Sequence, residues 1–383
     1  MTDAEMPEIE PEDEEKDVIK LDRYDISVNL IQPTLETWIT NIDNGDILIP
    51  PFQRNFRWKI ERASKLIESF IVGLPVPPIF LYEDFRKENK LVVIDGQQRL
   101  LSVYFYFKEK FPRTGIPIFQ EDKSIVQSIE ALEGGTFAPF KLIRVDDRWE
   151  NVAYGKLDDA DKNWLKRRPL WAITVRQIKP DAEKLNSIFY IFERLNTGGE
   201  PLTPMEIRKA LHFGKFYKLL EELNKHPNWR KLYGNEKENE KFRDIELILR
   251  FFSLQDWGKY KEPMKEFLNN FMRENCDVSD KKLEELESLF CRTCDLIIEE
   301  LGSRPFHIKG PLSTAIMDSF MVGTSQNLPK LASGNLNTVF KAAMENQEFT
   351  KTLESRVNVK EKILKKRFDM VSEIFEKAIG KKE

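Results

Sequence analysis

The sequence predicts an α+β protein in two parts, a mixed half with a small sheet followed by an all-helical half. Three observations carry this. Short β-branched and aromatic runs bounded by proline, glycine or polar turns, such as Ile79-Phe80-Leu81-Tyr82 and Leu91-Val92-Val93-Ile94, stop before residue 200. Beyond it, apolar residues recur at helical spacing almost to the end. The change falls at Asn196-Thr197-Gly198-Gly199, a turn cluster. The chain has 383 residues, more than one ordinary core accommodates.

Taken in order, residues 1–19 form an acidic tail expected to be disordered, 20–200 a first domain and 201–383 a helical domain. Leu35, Trp38, Ile39 and Ile42 give a short helix over 34–43, and no strand is assigned ahead of it. Ile47-Leu48-Ile49-Pro50-Pro51 is extended, because a residue before proline avoids the α region. Leu66, Ile67, Phe70 and Ile71 share one face of a helix over 60–72, which Gly73 stops. Strands at 79–82 and 91–94 follow, and the second runs through Gly96 into a buried helix carrying Leu100, Leu101, Tyr104 and Phe105. Further strands are expected at 137–145 and 170–178, with a basic helix at 159–168 between them and a long helix at 181–195. Thr203, Pro204 and Glu206 form a capping box that opens the helical part. Helices are then expected near 215–225, 242–255, 261–274, 280–301, 311–322, 334–346 and 358–379, with 233–241 a loop.

Composition excludes several classes. No apolar run has the length of a membrane span, and the acidic N-terminus does not read as a signal or transit peptide. Three cysteines, Cys276, Cys291 and Cys294, suit a reducing, cytoplasmic setting. Residues 1–17 hold nine acidic residues and one lysine, a charge of −8, so the remainder carries +4 of the net −4. This tail reads either as a solubilising leader or as a phosphate mimic that competes for a basic groove. Cys291 and Cys294 have CxxC spacing but lie on an amphipathic helix without a second pair, which reads as core. Lys162, Lys166, Arg167 and Arg168 around Trp164 read either as a nucleic-acid contact or as a solvated helix face.

Two segments carry candidate chemistry. In Asp95-Gly96-Gln97-Gln98-Arg99, a helix N-terminus follows a strand directly. Unpaired N–H groups and the positive dipole end suit a phosphate. Gly96 lets a ligand approach the backbone, Gln97 and Gln98 add amide donors, and Arg99 offers a bidentate fork. Asp95, at the carboxyl end of the strand, could hold Mg2+ or position a water. The competing reading is a plain strand–turn–helix corner with Arg99 solvated. The second segment, Ile49-Pro50-Pro51-Phe52-Gln53-Arg54-Asn55-Phe56-Arg57-Trp58, interleaves polar donors with three aromatics. Gln53 and Arg54 could be held beside a ligand; alternatively this is a surface loop pinned by Phe52, Phe56 and Trp58.

Together these segments resemble the N-terminal domain of GmrSD-type restriction systems, itself similar in fold to ParB and sulfiredoxin. The resemblance continues at Phe192-Glu193-Arg194-Leu195-Asn196-Thr197-Gly198-Gly199-Glu200-Pro201-Leu202-Thr203, then Glu206 and Ala210, and more weakly at Arg243-Asp244-Ile245-Glu246-Leu247-Ile248-Leu249-Arg250-Phe251. It implies a nucleotide-binding, often nucleotide-hydrolysing module in defence against foreign DNA. On that analogy Gly96, Gln97, Gln98 and Arg99 cradle the phosphates, Gln53 and Arg54 lie across from them, and Asn196 approaches the same pocket. Asp95 and Gln98 are the candidate catalytic residues, and Asp95 the candidate ligand of a Mg2+ that arrives with the nucleotide. Two-domain relatives carry a His-Asn-His nuclease. His212, His226 and His307 show no such pattern, so this chain is expected not to cut DNA alone, the nuclease being either missing or supplied by a separate subunit. The leading expectation is a nucleoside-triphosphate-binding, hydrolysing protein of a DNA-defence system. The alternative is a DNA-binding adaptor that uses the same cradle without hydrolysis.

Overall fold

The computed structural model describes residues 25–49, 56–84, 90–113, 126–127, 129, 136–178, 187–195, 202–308, 310–331, 335–353 and 359–379. Two compact units divide at the capping box, Asp22–Leu202 and Thr203–Glu383.

In the first unit the described elements are β1 (Ile26–Ile31), α1 (Leu35–Asp43), β2 (Ile47–Leu48), α2 (Ile60–Val72), β3 (Ile79–Asp84), β4 (Lys90–Asp95), α3 (Gln97–Phe107), β5 (Lys110–Pro112), β6 (Phe137–Pro139), α4 (Asp159–Arg167), β7 (Ala172–Gln177) and α5 (Ser187–Leu195). Five strands form a mixed sheet in the order β1-β7-β3-β4-β2, and β5 and β6 form a separate ribbon. β3 runs parallel to β7 and antiparallel to β4, with Phe80 opposite Asp95 and Ile79 opposite Ala172. The start of β3, the start of β7 and the end of β4 therefore share one end of the sheet.

Period-2 alternation sorts the strands by face. Ile79, Leu81, Val93 and Ala172 belong to one core with Trp38 and Ile39 of α1, Ile67 and Phe70 of α2, and Leu100, Leu101 and Phe105 of α3. Val92, Ile94 and Val175 are buried on the opposite face. α5 packs against β4, with Phe189 and Phe192 fully buried. Gly73 ends α2 in the left-handed conformation, closing on Ser69 O.

In the first unit two sequence expectations change. The strand expected at 137–145 is ordered as a strand only to Pro139. Beyond it the chain is irregular, because its amides bond outside any ladder: Leu142 N to Val152 O, Ile143 N to Ser64 Oγ, and Asp146 N to Glu68 Oε1. The unassigned β1 is an edge strand paired antiparallel with β7, Ile26 opposite Gln177 and Ile31 opposite Ala172. Its partner lies so far along the chain that local pattern carries little of the pairing.

The second unit contains α6 (Pro204–Leu211), α7 (Lys215–Asn224), α8 (Pro227–Tyr233), α9 (Arg243–Ser253), α10 (Met264–Asn275), α11 (Asp280–Leu301), α12 (Thr314–Asn327), α13 (Asn335–Glu345), α14 (Gln347–Lys351) and α15 (Glu361–Ile379). Thr203 and Glu206 close both bonds of the capping box on α6. α12 is buried from Thr314 to Ser325 and packs against α9, α11 and α15. α8 and α14 were not assigned from the sequence. α8 begins where His226 caps it, its Nδ1 accepting from Trp229 N, in a stretch that reads locally as a helix end.

Candidate functional site

β4 ends at Asp95, and Gly96 turns the chain with φ 90° into α3. Only glycine adopts that angle cheaply. Packing also demands it: a Cβ here would sit 2.4 Å from Ile79 Cγ2 and 2.9 Å from an Arg99 Nη2. The missing side chain thus seats the turn on β3, whereas the sequence reading gave that space to a ligand. No side chain caps the turn, and the first helical bond is Leu100 N to Gly96 O at 3.0 Å. The amide dipoles ahead of Leu100 are aligned toward the end of the sheet.

Arg99 is neither solvated nor idle. Its Nη2 donates to Asp95 Oδ2 at 2.9 Å and to the Pro78 carbonyl at 3.1 Å, while its Nε is buried without an acceptor. An unpaired buried N–H costs about 1–3 kcal/mol, so the guanidinium rests short of its best bonding. Asp95 is about one-third exposed and Arg99 about one-fifth, so the pair opens onto solvent.

Gln98 has a definite local task. Its Oε1 accepts from Arg57 N at 2.9 Å and from Trp58 N at 3.2 Å. That ties the segment just after Asn55 to the first turn of α3. Phe56 anchors the same segment, edge-on to Phe105 at 5.2 Å and to Phe111 at 5.5 Å, and Arg62 stacks on Trp58 at 4.3 Å. Gln97 is buried. Gln53, Arg54 and Asn196 lie outside the described residues. The structure brings the end of the 49–58 segment to the Asp95–Arg99 turn, and α5, which leads toward Asn196, to β4.

The remaining candidates are accounted for locally. Lys162 donates to Gly155 O, Lys166 pairs with Glu36 at 3.0 Å, and Arg168 covers Trp164, leaving Arg167 as the exposed member of the basic helix. Burial raises the Cys294 thiol well above its ordinary pKa, and to a lesser extent that of Cys291, as suits inert core thiols. His226 and Asn228 meet at Asp295, with Asn228 Nδ2 2.8 Å and His226 Nε2 3.7 Å from Asp295 Oδ1. These residues stand on α8 and α11 and not on a ββα frame. Among the described residues no group of three or more His, Cys, Asp or Glu could hold a metal ion, and no helix is long and apolar enough to cross a membrane.

Sequence reasoning missed the Pro78 carbonyl and Ile79 as parts of the site. The signal available was the Pro77-Pro78 pair at the head of a strand, but which strand end meets which turn depends on the sheet order.

Residues 35–213 match the model of the family described as GmrSD restriction endonuclease, N-terminal domain. The match begins at the first residue of α1 and ends just after α6, so it includes the Asp95–Arg99 turn and the first helix of the second unit. No curated protein matches the chain significantly.

Proposed function

We propose that the first unit binds a nucleoside triphosphate at the Asp95–Arg99 turn, and that it hydrolyses it as part of a restriction-like DNA-defence system. The carrying observation is the turn itself: a glycine at φ 90° delivers the uncapped N-terminus of an 11-residue helix, with Arg99 in its first turn, at the carboxyl end of β4. The match to a restriction-endonuclease domain spans this turn and supports the defence context.

In this reading the first-turn amides and the helix dipole receive a phosphate. Arg99 swings part of its fork from Asp95 to a phosphate oxygen, relieving its unpaired Nε. Gln98 holds the 56–58 segment against the turn, and on the family resemblance Gln53 and Arg54 are assigned to the side of the ligand across from it. Gln97 and Asn196 complete the cradle. Asp95 fits a magnesium that travels with the triphosphate, since such ions need one or two carboxylates besides the phosphates. Bound there, magnesium would neutralise phosphate charge. In this reading Asp95 and Gln98 order the attacking water.

The test is titration of ATP, GTP, CTP and UTP, with and without magnesium, into wild type and Arg99→Ala. A charge-assisted hydrogen bond contributes about 1.5–3 kcal/mol, so Arg99→Ala should weaken the preferred nucleotide by about ten- to a hundredfold. Arg99→Lys should recover only part, because an ammonium cannot reproduce the fork. Equal affinities in wild type and Arg99→Ala would end the claim. Tight DNA binding with no affinity for any nucleotide would favour the adaptor reading.

A further inference from the structure

We propose that Trp171 is the platform on which the nucleobase of that triphosphate stacks, an inference that rests on the phosphate reading of the Asp95–Arg99 turn. Trp171 directly precedes β7 and is 45% exposed. An indole left in water forfeits much of the largest apolar burial any side chain provides. The other highly exposed tryptophan, Trp164, is already engaged: its indole N–H donates to Ile71 O at 2.8 Å and Arg168 lies over its ring. No described residue hydrogen-bonds the Trp171 indole or stacks on it.

One peptide unit joins this tryptophan to the candidate phosphate site. The carbonyl of Pro78 accepts from Arg99 at 3.1 Å, and the N–H of the same peptide, that of Ile79, donates to Trp171 O at 2.9 Å. β7 and β4 flank β3 on either side. At about 4.8 Å per strand spacing, the start of β7 lies roughly 10 Å from the end of β4. That is the kind of separation a nucleotide spans between its phosphates and its base.

The backbone under Trp171 is also fixed. Leu170 N donates to Pro33 O at 3.2 Å, Leu170 O accepts from the buried Trp38 indole at 2.9 Å, and Ala172 is fully buried. Three prolines, Pro75, Pro77 and Pro78, stiffen the facing segment. An exposed aromatic ring on a rigid backbone loses little entropy when it is covered. Stacking is tolerant of base identity, because every base presents a π face. The structure thus assigns Trp171 to affinity for nucleosides as a class, and base selection to other contacts.

The experiment compares each nucleoside triphosphate with inorganic tripolyphosphate by calorimetry, against wild type, Trp171→Ala, Trp171→Leu and Trp171→Phe, with circular dichroism to confirm folding. Trp171→Ala and Trp171→Leu should weaken the preferred nucleotide by about ten- to a hundredfold and leave tripolyphosphate unchanged. Trp171→Phe should stay within a few-fold of wild type. Unchanged nucleotide affinity in the Ala and Leu variants overturns the inference. So does an equal loss for nucleotide and tripolyphosphate, which would mark a structural role. Wild type that binds tripolyphosphate as tightly as any nucleotide keeps the phosphate site and removes the platform. Wild type that binds neither removes both.

Discussion

Each unit contains an arginine–aspartate pair, and the two are built in opposite ways. In the helical unit Arg250 of α9 meets Asp318 of α12, with Nη2 2.6 Å and Nε 3.1 Å from Oδ2, and both side chains are almost wholly buried. The same unit sinks three more arginines. Arg208 bonds Glu246 and Asn269, Arg230 bonds Asp244 and Asn224, and Arg367 bonds Ser319 and the Thr352 carbonyl. Burial pulls the Arg208 pKa below the ordinary arginine value, and Glu246 opposes that. In the sheet unit Arg99 and Asp95 meet at the mouth of a turn, partly open to solvent and with Nε unpaired. The closed pair joins helices; the open pair is the one proposed here to meet a ligand. Placement and exposure, more than the presence of the pair, distinguish the two.

The largest expected effect breaks the closed pair. Asp318→Ala leaves a buried guanidinium without its counter-charge, at a cost of about 3–5 kcal/mol. Thermal unfolding should show a fall in Tm of roughly 10 °C. Arg250→Met combined with Asp318→Leu should recover most of it, since an apolar pair of similar volume is often no less stable. A shift of only a degree or two in the single variant would mean that water reaches this site. By contrast, Arg99→Ala should change stability by less than about 1 kcal/mol, as partly exposed pairs do, while its nucleotide affinity falls as argued above.

Gln98→Ala sharpens the same contrast on a smaller scale. Two backbone amides lose their acceptor, which costs about 1–2 kcal/mol. The Arg57 and Trp58 amides should then exchange hydrogen faster, whereas Gln98→Glu keeps the acceptor oxygens and should preserve protection. Protection unchanged in Gln98→Ala would show that Phe56 alone holds this segment. The smallest effect is expected from removing residues 1–17. Their charge of −8 is screened by salt, so DNA affinity should not change if they only solubilise. A several-fold gain at low salt would instead favour the phosphate-mimic reading.

Local pattern sufficed wherever one element decides its own shape. Helical spacing and a left-handed glycine place α2 at Ile60–Val72, and the capping box of Thr203 and Glu206 opens α6. The Asp95–Arg99 turn is legible for the same reason, since strand, glycine and helix are contiguous in sequence. What the residues there do was decided elsewhere. That Gly96 must lack a Cβ because of Ile79 and that one peptide ties Arg99 to Trp171 depend on the order β7-β3-β4, and that Gln98 serves Arg57 and Trp58 depends on the 56–58 segment reaching α3. The residues concerned are up to 72 positions apart along the chain, from Arg99 to Trp171. The physical reason is range: propensities and caps act over one or two turns of chain, whereas strand order and the partners of a buried polar group are set by which distant segments pack together.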